Sequence, residues 1–213
     1  MYNLPGGRYL YYKRSYGKMK VNIQLNLTYE DGTRDCVFTD ASWKMGESPI
    51  RFCCMYGGED YDGRIAFRQR KFSCPDFAED ASWEPAVQVA PPDGKLIAST
   101  IAPVRVMKKY FPISVRKTGE NTWLYDFGTN FSGWARIYIN KNSAPEGSKI
   151  IMTPGEIIDD SFVPDQSVTG KGYAWTYLIS DETEQEFVPD FTYTGFRYVQ
   201  IQGAVPDLEK NKG

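Results

Sequence analysis

The chain has 213 residues, enough for one large or two ordinary domains. Its 25 Lys and Arg against 27 Asp and Glu give a formal charge of -2, so no basic excess draws a phosphate backbone, which argues against nucleic acid as a partner. Histidine is absent. That excludes imidazole-activated nucleophiles, His-ligated zinc and histidine acid-base chemistry, and leaves any reaction to carboxylates, Lys, Tyr or Cys.

The opening MYNLPGGRYLYYKRSYGK shows no apolar run after a basic start, so no signal peptide is expected. No stretch approaches the roughly 18 apolar residues of a membrane span. In KVNIQLNLTY, Val21, Ile23, Leu25, Leu27 and Tyr29 alternate with polar residues, the pattern of a half-buried strand. Asp31-Gly32 follows and tolerates the backbone of a tight hairpin, with Arg34 to Thr39 as the returning strand. Asp40-Ala41-Ser42-Trp43 recurs as Asp80-Ala81-Ser82-Trp83, a turn in which Asp caps backbone N–H groups and Trp swings back over a sheet. A sugar platform is the alternative role for both tryptophans.

Between the two repeats lies CCMYGGEDYDGR, which gathers Glu59, Asp60, Asp62 and Arg64 within six positions. Three readings compete. Glu59 and Asp62 have the chemistry of a glycosidase pair, which requires a carboxylate separation of about 5–5.5 Å or about 6.5–9.5 Å. Asp60 and Asp62 have the spacing of calcium ligands, although Arg64 and Ile65 stand where an EF-hand needs an oxygen ligand and a glycine. In the structural reading, Gly57-Gly58 makes a sharp turn, Arg64 grips one carboxylate with two bonds, and Tyr56 and Tyr61 pack. Cys36, Cys53, Cys54 and Cys74 form neither a CxxC pair nor a disulfide scaffold and read as mostly reduced thiols. GGRY, YGGE and GKGY lack the spacing of a phosphate-binding loop.

Further strands are expected at Arg64 to Phe67, Ala86 to Val89, Trp123 to Phe127, Trp134 to Ile139, Lys149 to Met152, Tyr173 to Ser180 and Phe196 to Ile201. Each is short, aromatic or β-branched, and bounded by Gly, Pro, Asn or Asp. Thirteen prolines and nineteen glycines leave no clear room for an amphipathic helix of three turns. The fold class is therefore all-β, in two β-sandwich (jelly-roll-like) domains. Pro91-Pro92-Asp93-Gly94 and Pro103 mark a boundary near 95 to 103, giving domains 1–97 and 98–213, the first expected to be incomplete at its N-terminus. Aromatic residues at 15% of the chain suit flat-ring contacts with sugars.

Taken in order, these segments resemble the non-catalytic N-terminal β-domains of bacterial α-L-rhamnosidases, glycoside hydrolase family 78. LTYEDGTRDCVFTDASWKMGESPIRFCCMYGGEDYDGR and FAEDASWEPAV resemble the family's jelly-roll segment and its exit. IAPVRVMKKYFPISVRKTGENTWLYDFGTNFSGWARIYI and FVPDFTYTGFRYVQIQG resemble its next, concanavalin-like β-sandwich. The resemblance implies a fragment without the catalytic centre, partnered by a catalytic α/α barrel of the same enzyme that hydrolyses terminal α-L-rhamnosides, and a periplasmic or secreted location. It makes Glu59, Asp60, Asp62, Arg64 and Trp134 candidate contacts for rhamnose-containing glycans, and Asp60 and Asp62 candidate calcium ligands. Gly57 stands where the family often has Asp or Asn, Gly63 where it usually has Ala, and Thr194 where it commonly has His. Two rival readings stay open: a self-sufficient β-sandwich glycosidase using Glu59, Asp62, Asp126 or Asp160 with a tyrosine, and purely structural packing without a ligand.

Overall fold

The computed structural model describes residues 20–91, 94–140, 143–167 and 172–205. The segment read for a signal peptide, the GGRY loop, Pro92-Asp93 of the expected boundary turn and Gly170-Lys171 of GKGY lie outside the described residues. Among the described residues there is one helix, of six residues, and no helix is long and apolar enough to cross a membrane. The chain is all-β, as expected.

Two compact units form, one from residues 16–47 and 72–107, the other chiefly from 48–71 and 108–213. In the smaller unit, β1 (Gln24–Thr28) and β2 (Arg34–Phe38) make the anticipated hairpin. Gly32 takes φ +83°, and Asp31 Oδ1 accepts from Thr33 N at 2.9 Å and Thr33 Oγ1 at 2.7 Å, locking the turn. The expected half-burial is not found: Val21, Ile23, Leu25 and Tyr29 are exposed and Leu27 alone is half-buried. Two strands by themselves have no second layer on which to bury a face.

The repeated DASW turns are equivalent. Asp40 Oδ1 accepts from Ser42 N at 2.8 Å, and Asp80 Oδ1 from Ser82 N at 2.8 Å. Each turn feeds one strand of the pair β3 (Lys44–Met45) and β6 (Glu84–Pro85). The Trp83 ring packs over Gly46, where a Cβ would come within 2.8 Å of it, and meets Phe77 edge-on at 5.6 Å. Trp83 thus covers its own small sheet, whereas Trp43 stays exposed with Nε1 donating to Phe38 O at 3.1 Å.

The larger unit is built on a seven-stranded sheet. Its strands in spatial order are β4 (Ile50–Cys54), β5 (Gly58–Asp62), β13 (Ala174–Leu178), β10 (Lys149–Gly155), β15 (Thr194–Gln202), β8 (Thr122–Gly133) and β7 (Ser114–Gly119). Every neighbour is antiparallel except β5 and β13, which run parallel from Gly58↔Ala174 to Asp62↔Leu178. A second layer of β9 (Ile137–Asn140) and β14 (Glu184–Phe187) covers one face. Phe187 sits 5.1 Å from the Tyr177 ring and 5.6 Å from Tyr61, and Ile139 is buried with Ile150, Met152 and Trp175. The unit is an unequal β-sandwich, and each large apolar side chain closed off between the layers contributes roughly 1.5–3 kcal/mol of burial. A short hairpin, β11 (Ile157–Ile158) with β12 (Pro164–Asp165), follows β10.

Several expectations change. The linear division at 97/98 does not describe the compact units, because residues 48–71 join the sheet of the later half and 98–107 belong with the smaller unit. Arg64 to Phe67 is not a strand but lies in α1 (Gly63–Arg68), since the Asp62 side chain accepts from Arg64 N and caps a helical turn. Ala86 to Val89 is not a strand either; pairing there ends at Pro85. Eight strands were not anticipated: the longer β4, β5, β7 and β14, and the two-residue β3, β6, β11 and β12. All four cysteines are free thiols, Cys54 buried, Cys53 half-buried, and Cys36 and Cys74 exposed, in keeping with the reduced reading.

Candidate functional site

The acidic stretch that invited a catalytic reading is strand β5. Gly57 N donates to Cys54 O at 3.0 Å to close the turn from β4, and Gly58 enters the strand at φ +94°. A Cβ at 58 would stand 1.7 Å from Ala174 O, so only glycine lets β5 approach β13 this closely. Alternation along the strand sends Glu59 and Tyr61 to the core face and Asp60 and Asp62 to the other. Tyr61 stacks on Tyr177 at 5.9 Å.

Glu59 is 0% exposed. Its Oε1 accepts from Asp190 N at 3.1 Å, and Oε2 from Asp190 N at 3.2 Å and Phe191 N at 3.1 Å. Burial pushes its carboxyl above the usual range while those two N–H groups pull it back, and the Asp190 charge adds to the rise. A surface sugar does not meet this carboxylate; its role is to hold segment 188–193 against the sheet.

Asp62 and Arg64 form the two-pronged pair anticipated in the structural reading. Nε reaches Oδ1 at 2.9 Å and Nη2 reaches Oδ2 at 2.8 Å, while Arg64 N donates to Oδ1 at 3.0 Å. The Arg64 guanidinium, ahead of the opposing effect of burial, holds the Asp62 carboxyl below its ordinary value. Asp60 Oδ1 accepts from the Thr176 hydroxyl across the parallel pair. These residues do not fit calcium. A hard cation takes six to eight oxygens, yet both Asp62 oxygens already face a guanidinium, and no group of three or more acidic or thiol residues suited to a metal occurs among the described residues.

The other candidates are dispersed. Asp126 is paired with Arg197 through bonds of 2.8 Å at both oxygens. Asp160 is exposed on the loop between β11 and β12. Trp134 is half-buried and packs against the core cluster, so it serves as cover for the sandwich. No two of Glu59, Asp62 and Asp126 share a cleft as facing acids, because each is turned to a different structural partner.

A cleft does open elsewhere, where β10 ends at Gly155 and β15 begins at Thr194. It has a volume of about 80 Å³, with Glu156, Asp165, Gln166, Tyr173, Thr194 and Gly195 in its walls. Gln166 knits its base: Nε2 donates to Pro154 O and Tyr173 O, both at 2.8 Å, and Oε1 accepts from Tyr173 N at 3.1 Å. Burial raises the Tyr173 phenol to about 12, so it stays neutral. Glu156 Oε1 accepts from Asn130 Nδ2 at 3.1 Å. Sequence reasoning passed over Glu156 and Asn130; 26 residues separate them and no motif joins them.

Comparison with known proteins bears on both units. The family pattern of the alpha-L-rhamnosidase N-terminal domain matches residues 1–108, and that of the bacterial alpha-L-rhamnosidase concanavalin-like domain matches residues 116–212. An alpha-L-rhamnosidase of Formosa agariphila is 31% identical over 206 residues, 93% of this chain and 21% of its own length. The structure of alpha-L-rhamnosidase from Dictyoglumus thermophilum superposes with a TM-score of 0.78 at 35% identity, covering 88% of this chain and 21% of that one. The Streptomyces avermitilis alpha-L-rhamnosidase complexed with L-rhamnose gives 0.75 at 25% identity, covering 86% and 18%. The chain thus spans about a fifth of the length of the relatives it matches.

Proposed function

The chain belongs to the bacterial α-L-rhamnosidase family, and from that premise we propose that it forms the non-catalytic β portion of such an enzyme, supporting a catalytic domain of the same polypeptide and holding rhamnose-containing glycans. One observation carries the non-catalytic part: three of the carboxylates weighed as catalytic candidates, Glu59, Asp62 and Asp126, are committed to the fold. Glu59 is sealed under two backbone N–H groups, Asp62 is gripped by Arg64, and Asp126 by Arg197. A glycosidase needs two acids flanking one bond, one of them free to give and take a proton. Support for a larger assembly comes from the relatives, each about five times the length matched. The glycan-holding part draws on the exposed aromatic rings and on the L-rhamnose complex of the Streptomyces relative. Calcium has no part in this reading.

Two measurements test it. Purified chain incubated with an aryl α-L-rhamnoside is expected to release no aglycone above the buffer blank; steady turnover would overturn the non-catalytic assignment. Calorimetric titration with L-rhamnose is expected to give millimolar binding, about 4 kcal/mol, unchanged by chelator. Absence of heat under both conditions would favour packing alone.

A further inference from the structure

We propose that the cleft between the end of β10 and the start of β15 is a subsite for a neutral saccharide, with Glu156 and Thr194 as its hydroxyl-binding groups and Tyr193 as its stacking ring. The assignment rests on the glycan-holding part of the function proposed above and gives it a location. Three strand ends meet here: β10 stops at Gly155, β13 starts at Ala174 and β15 starts at Thr194. Loops gathered at one end of a rigid sandwich are where such folds place binding groups.

The groups are held in advance of any ligand. A Cβ at Gly195 would come 2.7 Å from Glu156 Oε1, so the carboxylate lies over a bare glycine, and Asn130 fixes the same oxygen. Segment 188–193 is anchored twice. Glu59 accepts from Asp190 N and Phe191 N, and the buried Thr192 Oγ1 accepts from Trp175 Nε1 at 2.9 Å. With Thr192 turned in, Phe191 and Tyr193 turn out, 65% and 44% exposed. Large aromatic rings held in solvent by buried anchors lose little freedom when a ligand covers them.

The chemistry selects the ligand. A carboxylate accepts two sugar hydroxyls, Thr194 supplies a donor and acceptor, and an aromatic face receives the C–H face of a pyranose. The Glu156 carboxylate repels anionic sugars, which leaves neutral ones. The volume of about 80 Å³ suits one hydroxyl-bearing edge, and the rest of the pyranose is assigned to the exposed ring of Tyr193, which lies outside the cleft wall and directly precedes its lining residue Thr194.

The test is an amide-resolved NMR titration of the whole chain with L-rhamnose. Shifts are expected at Glu156, Tyr193, Thr194 and Gly195. Gly195→Ala displaces the end of a flexible side chain rather than backbone, so the fold survives and the cleft changes; Tyr193→Ala removes an exposed ring. Each should weaken binding roughly tenfold. Shifts confined to other regions, such as Asp60 or Trp134, would overturn this location and leave glycan binding standing. No shift anywhere at 100-fold molar excess and roughly 100 mM sugar, well above a millimolar Kd, would overturn both. Unchanged affinity in the two variants would overturn the location alone.

Discussion

Arg197 reaches from β15 to Asp126 on β8 with two parallel bonds of 2.8 Å, Nε to Oδ1 and Nη2 to Oδ2, at the point where the pairing of these strands slips. The register runs Phe196↔Phe131 and then resumes at Tyr198↔Asp126. The pair therefore fastens a bulge, and Asp126 Oδ1 also accepts from Gly128 N at 2.7 Å inside the same irregularity. A double-mutant cycle with Asp126→Asn and Arg197→Gln, read by urea denaturation, should give a coupling of about 0.5–1 kcal/mol, since the Arg side chain is partly in solvent. A coupling indistinguishable from zero would mean that the backbone holds the bulge unaided.

The same pair sets a pH dependence. Arg197 holds the Asp126 carboxyl below its ordinary value, and Arg64 does so for Asp62. A depressed folded-state value gives stability that is present above the unfolded carboxylate range and lost as pH falls through the folded value. Glu59 has the opposite sign: its raised carboxyl favours the protonated form in the fold, so its contribution is full below the unfolded range and declines as pH rises through the folded value. Denaturation of wild type and Glu59→Gln between pH 7 and pH 4 should show wild type gaining on the variant as pH falls. Wild type losing ground to the variant as pH falls would mean that the N–H bonds outweigh burial.

Glycines 58 and 32 both take positive φ, at +94° and +83°, but differ in surroundings. A Cβ at 58 strikes Ala174 O, whereas one at 32 meets nothing within 4 Å. Gly32→Ala should cost about 1–2 kcal/mol, the strain of a left-handed residue. Gly58→Ala should cost more than 3 kcal/mol or prevent folding, because β5 must leave β13. Thermal melts of the two variants compare them directly, and equal shifts would contradict the close approach.

Thiol accessibility gives a fourth measurement. Cys36 and Cys74 are exposed, Cys53 is half-buried and Cys54 buried. Burial, with the Glu59 charge, pushes the Cys53 thiol up, so it is a poor thiolate as well as a hindered one. N-ethylmaleimide at neutral pH should add two equivalents quickly, at 36 and 74, with the others following only on unfolding. Rapid modification of Cys54 would contradict the packing of β4.

The regular parts of the fold were legible in the sequence. Alternation from Val21 to Tyr29 and the Asp31-Gly32 pair specify a hairpin from adjacent residues, and the aromatic runs around Trp123, Trp175 and Phe196 mark central strands. GEDYD was not legible, because three acids in five residues imitate a solvated loop. Its strand character comes from β13, with Thr176 bonding Asp60 across 116 positions, and no local pattern encodes such a partner. Arg64 gripping Asp62 was readable at a separation of two, whereas Arg197 with Asp126, 71 apart, and the Asn130, Glu156 and Gly195 grouping depend on which strands lie side by side.

The parallel union of β5 with β13 also governs how the polypeptide comes off the ribosome. At about 5–20 residues per second, GEDYD waits many seconds before its neighbour is synthesised, and meanwhile β4 and β5 can pair only with each other. Expression of residues 1–97 as a separate product should therefore leave that hairpin with an open edge, prone to join a second copy, and the remaining residues with a sheet lacking its outer two strands.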